Sequence, residues 1–168
     1  MSTAAKASPG EMAAREILRL TRELLAALAP AETDKRYAAP AAESWSAIEV
    51  LAHVVEFIPY WADQAAAVSA RTDDAERPFG RTHDDTARIA AVREHARDRY
   101  ETLASRLGEV AERSASTLRA IHPAGWSRTA VHARRGSMSV EQIVRQFLLD
   151  HLEEHTTQAK AAIGRRSP

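Results

Sequence analysis

The stretch from Val140 to Ile163 leaves the chain little freedom. Val140, Ile143, Val144, Phe147, Leu148, Leu152, Ala159 and Ile163 recur three, four and seven apart, the spacing of one helical face. Ser139 followed by Gln142 forms a capping box, so the helix should start near Met138 or Ser139. His151 and His155 fall within the same apolar series. They are therefore expected to point into a core, and four-residue spacing puts both imidazoles on one face.

A second segment has the same logic. Ser46 and Glu49 make another capping box, and Trp45 sits where an apolar residue can staple onto the first turn. Val50, His53, Val54, Phe57 and Trp61 then share a face, while Pro59 should kink or split the helix near Val55, with helix on both sides. A first helix is expected from about Glu11 to Leu28, carried by Ile17, Leu18, Leu20, Leu24, Leu25 and Leu28 and ended by Pro30. A third is expected from Asp84 or Asp85 to Ala120, carried by Ile89, Val92, Leu103, Leu107, Val110 and Leu118. Residues 31–43, 71–83 and 121–137 read as connections, with at most a short extended piece at Val131-His132. The implied architecture is an all-α four-helix bundle over residues 11–163, with a disordered lead-in at 1–10 and a tail at 164–168.

Composition narrows the function. Lys plus Arg and Asp plus Glu number 23 each, so no net charge draws the chain to nucleic acid or an anionic membrane. The absence of cysteine excludes disulfides, thiolate metal sites and a cysteine nucleophile. Any thiol chemistry must use a thiol supplied by a substrate. No apolar run is long enough to span a bilayer and Met1–Gly10 lacks a signal-type apolar segment, so the cytoplasm is the expected location. Bundles of this size often pair through an exposed apolar face, and a homodimer is expected on that ground.

Of the seven histidines, His53, His151 and His155 lie on predicted inward faces. Three imidazoles from two helices can hold one divalent metal, although an inward histidine is more commonly a core residue bonded to a carbonyl. His83, His122 and His132 fall in expected loops and His95 among charges, so all four are expected at the surface. His151-Leu152-Glu153-Glu154-His155 also matches the inverted zinc-protease signature, in which Glu154 would be the general base. The chain is short for such a protease and offers no evident distal Glu ligand. Asp150, Glu153 and Glu154 are better read as acceptors for imidazole N–H groups or as surface charge. Arg81 and the run Ala133-Arg134-Arg135-Gly136 are either anchors for an anionic substrate or ordinary solvated cations. Tyr60 and Trp61 either line a pocket or fill the core.

The run Trp45-Ser46-Ala47-Ile48-Glu49-Val50-Leu51-Ala52-His53 resembles the second-helix motif of the DinB-like superfamily. Gly136-Ser137-Met138-Ser139-Val140-Glu141-Gln142-Ile143, leading to Asp150-His151 and His155, resembles its fourth-helix motif. The resemblance implies a four-helix bundle and a divalent metal held by His53, His151 and His155. Three histidines suit zinc, nickel, iron or copper, and affinity order alone does not choose among them; zinc or nickel is the leading expectation. It also implies relatives that are transferases and isomerases using low-molecular-weight thiols such as mycothiol, bacillithiol or glutathione. The leading expectation is a metal-dependent thiol transferase or isomerase acting on a small molecule, with water activation as a variant. The alternatives are a non-catalytic metal-binding stress-response or ligand-binding bundle, and a plain helical interaction module.

Overall fold

A computed structural model describes residues 7–73, 75 and 77–164. The first helix, α1 (Pro9–Leu28), starts two residues earlier than its spacing suggests, because Ser8 caps it and Pro9 suits the first turn. The connection after it contains a short helix, α2 (Thr33–Tyr37). Arg36 on α2 donates to the carbonyls of Leu28 and Ala29 at 3.0 and 2.6 Å, supplying partners the end of α1 would otherwise lack. Helix α3 (Ala47–Ser69) opens on the expected capping box of Ser46 and Glu49. It runs unbroken through Pro59, so the expected split does not occur. Burial of both flanks holds the helix together: Val55, Phe57, Ile58, Trp61 and Ala62 all lie in the core.

The third expected helix is in fact two, α4 (Thr86–His95) and α5 (Tyr100–Arg119). Between Val92 and Leu103 no side chain is fully buried, and Tyr100 alone among the described residues there packs against the core, so little enforces a straight helix. The break is stabilised from outside. The Tyr37 hydroxyl donates to the Asp98 carbonyl at 2.8 Å and accepts from the Tyr100 amide at 3.1 Å. His95 Nδ1 lies 2.8 Å from the Asp98 carboxylate.

The expected connections also hold a small sheet that the helical reading did not anticipate beyond Val131-His132. Strand β1 (Pro78–Phe79) runs parallel to β2 (Thr129–His132), which pairs antiparallel with β3 (Gly136–Ser139). Phe79, Ala130, His132 and Met138 turn inward from it. A 3-10 turn, Pro123–Ser127, precedes β2.

The last helix begins with α6 (Val140–Ile143) on its predicted capping box, passes through a π-helical turn at Val144–Leu149 and continues as α7 (Asp150–Gly164). The four long helices form the bundle. Both α1 and α3 pack against α5 and α7, so α1 and α3 face each other across its diagonal. The core is filled by Ile17, Leu24, Leu28, Ile48, Leu51, Phe57, Leu103, Leu107, Leu118, Ile143 and Leu148. None of the described helices is long and apolar enough to cross a membrane.

Candidate metal centre

The three histidines predicted to face inward meet at one point. His53 comes from the second turn of α3, and His151 and His155 from the first turns of α7. The π turn ends at Leu149, two residues before His151. It inserts an extra residue into the turn and so resets the direction of every later side chain. His53 is 2% exposed, and the other two are partly buried. His151 Nε2 lies 3.4 Å from His53 Nε2 and 3.2 Å from His155 Nε2. One potential ligand nitrogen from each ring falls within 4.8 Å of the others. Two nitrogens bound to one ion at about 2.1 Å, at angles from square to tetrahedral, stand about 3.0–3.4 Å apart. The two spacings from His151 fall in that range, so the arrangement suits a shared divalent cation.

The opposite nitrogens follow a common rule. Each histidine has a carboxylate or amide residue three positions later on the same helical face, of which only Gln158 is within hydrogen-bond distance. Gln158 Oε1 bonds His155 Nδ1 at 2.7 Å, Glu154 Oε2 lies 3.7 Å from His151 Nδ1, and Glu56 Oε2 lies 3.9 Å from His53 Nδ1. Gln158 Oε1 accepts a hydrogen bond from the Nδ1–H, which leaves His155 Nε2 as the lone-pair nitrogen turned toward the cluster. His53 Nδ1 is buried and has no hydrogen-bond partner among the described residues. Glu154 faces the outer nitrogen of His151 and not the Nε2 cluster, so it does not occupy a general base's position. Asp150 pairs with Arg145 and Glu153 is exposed, so neither serves the cluster.

Electrostatics keep the rings neutral. Burial pushes His53 down to about 2, helped by its neighbours His155 and His151 and by the Arg88 and Arg81 cations. Burial also lowers His151 to about 4, with Arg88 and Arg81 adding to it. His155 falls to about 4, again chiefly through burial and then through His151, with the Gln158 bond opposing. Neutral imidazole is the form that binds metal.

Aromatic rings wall the cluster. Trp45 stacks on His155 with centroids 6.1 Å apart, beyond the stapling role its position suggests. Phe57 lies 5.1 Å from His53 and 4.8 Å from His151. A cavity of about 230 Å³ opens onto His53 and His151, lined also by Trp61, Phe147, His132 and four arginines: Arg81, Arg88, Arg134 and Arg135. A larger groove of about 560 Å³ lies elsewhere, against the start of α1 and the π turn, and touches no histidine.

Two expectations change here. His132 is 5% exposed rather than at the surface. Its Nε2 donates to the Arg81 carbonyl at 3.1 Å and its Nδ1 accepts from the Arg134 amide, so it ties the loop after β1 to the β2–β3 hairpin. Arg81 is likewise no solvated cation. Its side chain is 11% exposed, bonds Glu56 at 2.6 Å and lies 3.9 Å over the Tyr60 ring. His83 and His122 are exposed, as expected, and His95 is half-buried against Asp98. Glu56, Gln158 and Arg88 were not singled out from sequence. The first two were legible as acceptors three residues after a histidine, but Arg88 depends on how the loop after β1 folds.

The fold and site together define a four-helix bundle with an inward three-histidine cluster, of which His53 and His151 open onto a cationic pocket. The chain belongs to the DinB superfamily, whose family profile matches residues 14–159. No curated protein matches it significantly. Among solved structures it is similar to YfiT from Bacillus subtilis, described as a probable metal-dependent hydrolase with an unusual four-helix bundle topology. That match has 13% identity and a TM-score of 0.75, covering 96% of this chain and 91% of that one. It is also similar to a variant of mycothiol-dependent maleylpyruvate isomerase. There the identity is 11% and the TM-score 0.64, with 96% of this chain covered but 65% of that one. At these identities the likeness speaks for the fold.

Proposed function

We propose that the protein is a metal-dependent enzyme in which His53, His151 and His155 hold one divalent cation, zinc or nickel, beside a pocket for a small molecule. The convergence of three neutral imidazoles, two of which (His53 and His151) line that pocket, carries this reading. Three neutral ligands leave the ion's charge uncompensated and part of its coordination open, as catalytic sites require. Bound there, the cation would supply Lewis acidity and favour the deprotonated form of a thiol or a water.

The protein's own groups do the rest. Gln158 fixes the His155 tautomer, and Glu56 and Glu154 stand on the outer sides of His53 and His151. Trp61 and Phe147, stacked with centroids 4.3 Å apart, form an apolar wall that excludes water from one side of the cavity. With no cysteine in the chain, a thiol nucleophile must enter from solution. The reaction proposed is transfer or isomerisation through a low-molecular-weight thiol, consistent with the mycothiol-dependent neighbour. Hydrolysis by activated water is the second reading, favoured by the description of YfiT.

One assay separates them. Metal-loaded protein is incubated with an electrophilic reporter, with and without mycothiol, bacillithiol or glutathione. Conjugate formation that needs both metal and one thiol supports the first reading. Ester or amide cleavage without thiol moves the site to the second, and neither activity leaves a non-catalytic metal-binding bundle.

A further inference from the structure

The four arginines around the cavity are not equivalent. Arg81 is already satisfied by the Glu56 carboxylate at 2.6 Å and the Tyr60 ring. Arg134 is mostly exposed and lies 3.9 Å from Asp84. Arg135 sits 5.7 Å over the Phe147 ring at the rim. Arg88 differs from all three. Its Nη2 donates to the His83 carbonyl at 2.7 Å, but its Nε is buried with no hydrogen-bond partner among the described residues. The α4 N-cap fixes its backbone, since the Arg88 amide donates to Asp85 at 2.8 Å. Its guanidinium also lies 5.9 Å from the Trp45 ring that stacks on His155.

A buried guanidinium N–H without an acceptor is costly, and a cation held beside a cluster built for another cation adds repulsion. Both costs vanish if an anion sits between them. We propose that Arg88 is the anchor for a carboxylate of the pocket's ligand, gripping it through Nε and a terminal nitrogen while the rest of the ligand reaches the histidine cluster. This rests on the reading of the pocket as a metal site and adds the chemical class of what enters it. Guanidinium and carboxylate match as a planar fork, which lysine cannot reproduce. The cavity of about 230 Å³ limits the ligand, or the part of it that is enclosed, to a small organic acid.

The test is calorimetric titration of zinc-loaded protein with succinate, with inorganic phosphate and with uncharged succinamide. It is run on wild type, Arg88→Gln, Arg88→Lys and the charge-matched control Arg93→Gln, an exposed position on the same helix. Succinate should bind and succinamide should not. Affinity should fall about tenfold or more in Arg88→Gln and partly recover in Arg88→Lys, with Arg93→Gln unchanged. Equal succinate affinity in Arg88→Gln and wild type overturns the proposal, as does an equal loss in Arg93→Gln. Phosphate binding without succinate binding overturns the carboxylate assignment. Zinc content and circular dichroism of each variant are read in parallel. Loss of anion binding at full zinc occupancy speaks to Arg88 alone, whereas wild type that takes up no zinc counts against the metal centre.

Discussion

The α1–α5 seam and the α3–α7 seam belong to one bundle, yet they are built from different materials. Between α1 and α5 the interior is aliphatic, with Ile17, Leu24 and Leu28 on one side and Leu103, Leu107 and Leu118 on the other. Its charges stay at the edge, as in the Arg119–Glu11 pair at 2.8 Å. Between α3 and α7 the same inward positions carry His53, His151 and His155, walled by Phe57 and Trp45. The first seam gains stability from every buried methylene. The second gives up that gain to bring three lone pairs together, so stability and function can be perturbed separately.

The largest expected effect lies in the aliphatic seam. Leu107→Ala, at a fully buried position, should cost about 2–5 kcal/mol of unfolding free energy by urea denaturation. The protein that remains folded should keep its metal stoichiometry. Loss of metal in this variant would mean the two seams are coupled.

Next comes the stabilisation that a ligand confers. At zinc concentrations about a hundredfold above Kd, wild type should gain about 2.7 kcal/mol, seen as a raised Tm. His53→Ala should show no such rise. A zinc-dependent shift surviving in that variant would place the metal elsewhere.

The acceptors behind the histidines sharpen the comparison. Glu56→Gln removes the carboxylate that faces His53 Nδ1 and pairs with Arg81. Zinc affinity by competition with a chelator should fall about tenfold. An unchanged affinity would reduce Glu56 to a partner of Arg81 alone.

Mild acidity should act chiefly on the histidine seam. The folded values of about 2 for His53 and about 4 for His151 and His155 lie below the usual 6.5. The unfolded chain therefore binds protons that the folded chain refuses. Stability of the metal-free protein is full above about pH 6.5 and declines as pH falls toward 4. Thermal melts across that window should flatten in a His151→Gln/His155→Gln double variant. The smallest effect belongs to the exposed edge, where Glu11→Gln should leave Tm within measurement scatter.

The two seams also differ in how far sequence exposes them. Both capping boxes and the long apolar periodicities are local, so the four helices and the inward direction of the three histidines could be read directly. The break between α4 and α5 could not, because it depends on Tyr37, distant in sequence. The sheet escaped for the same reason: Pro78–Phe79 has no strand character until Val131 and His132 lie beside it. His132 was misplaced at the surface because its burial follows from that sheet. The π turn carries no composition signal of its own. Arg88 lies on a helix that only the loop after β1 brings over the cluster, so the cationic half of the pocket was invisible while its histidine floor was plain.

The most direct measurement is the metal content of untagged protein by mass spectrometry, wild type beside His151→Ala. About one equivalent of a divalent metal in wild type, lost in the variant while the helical circular dichroism persists, is the expected result. Wild type that is metal-free and takes up neither added zinc nor added nickel would contradict the metal centre and leave the cluster as a polar flaw in an interaction bundle.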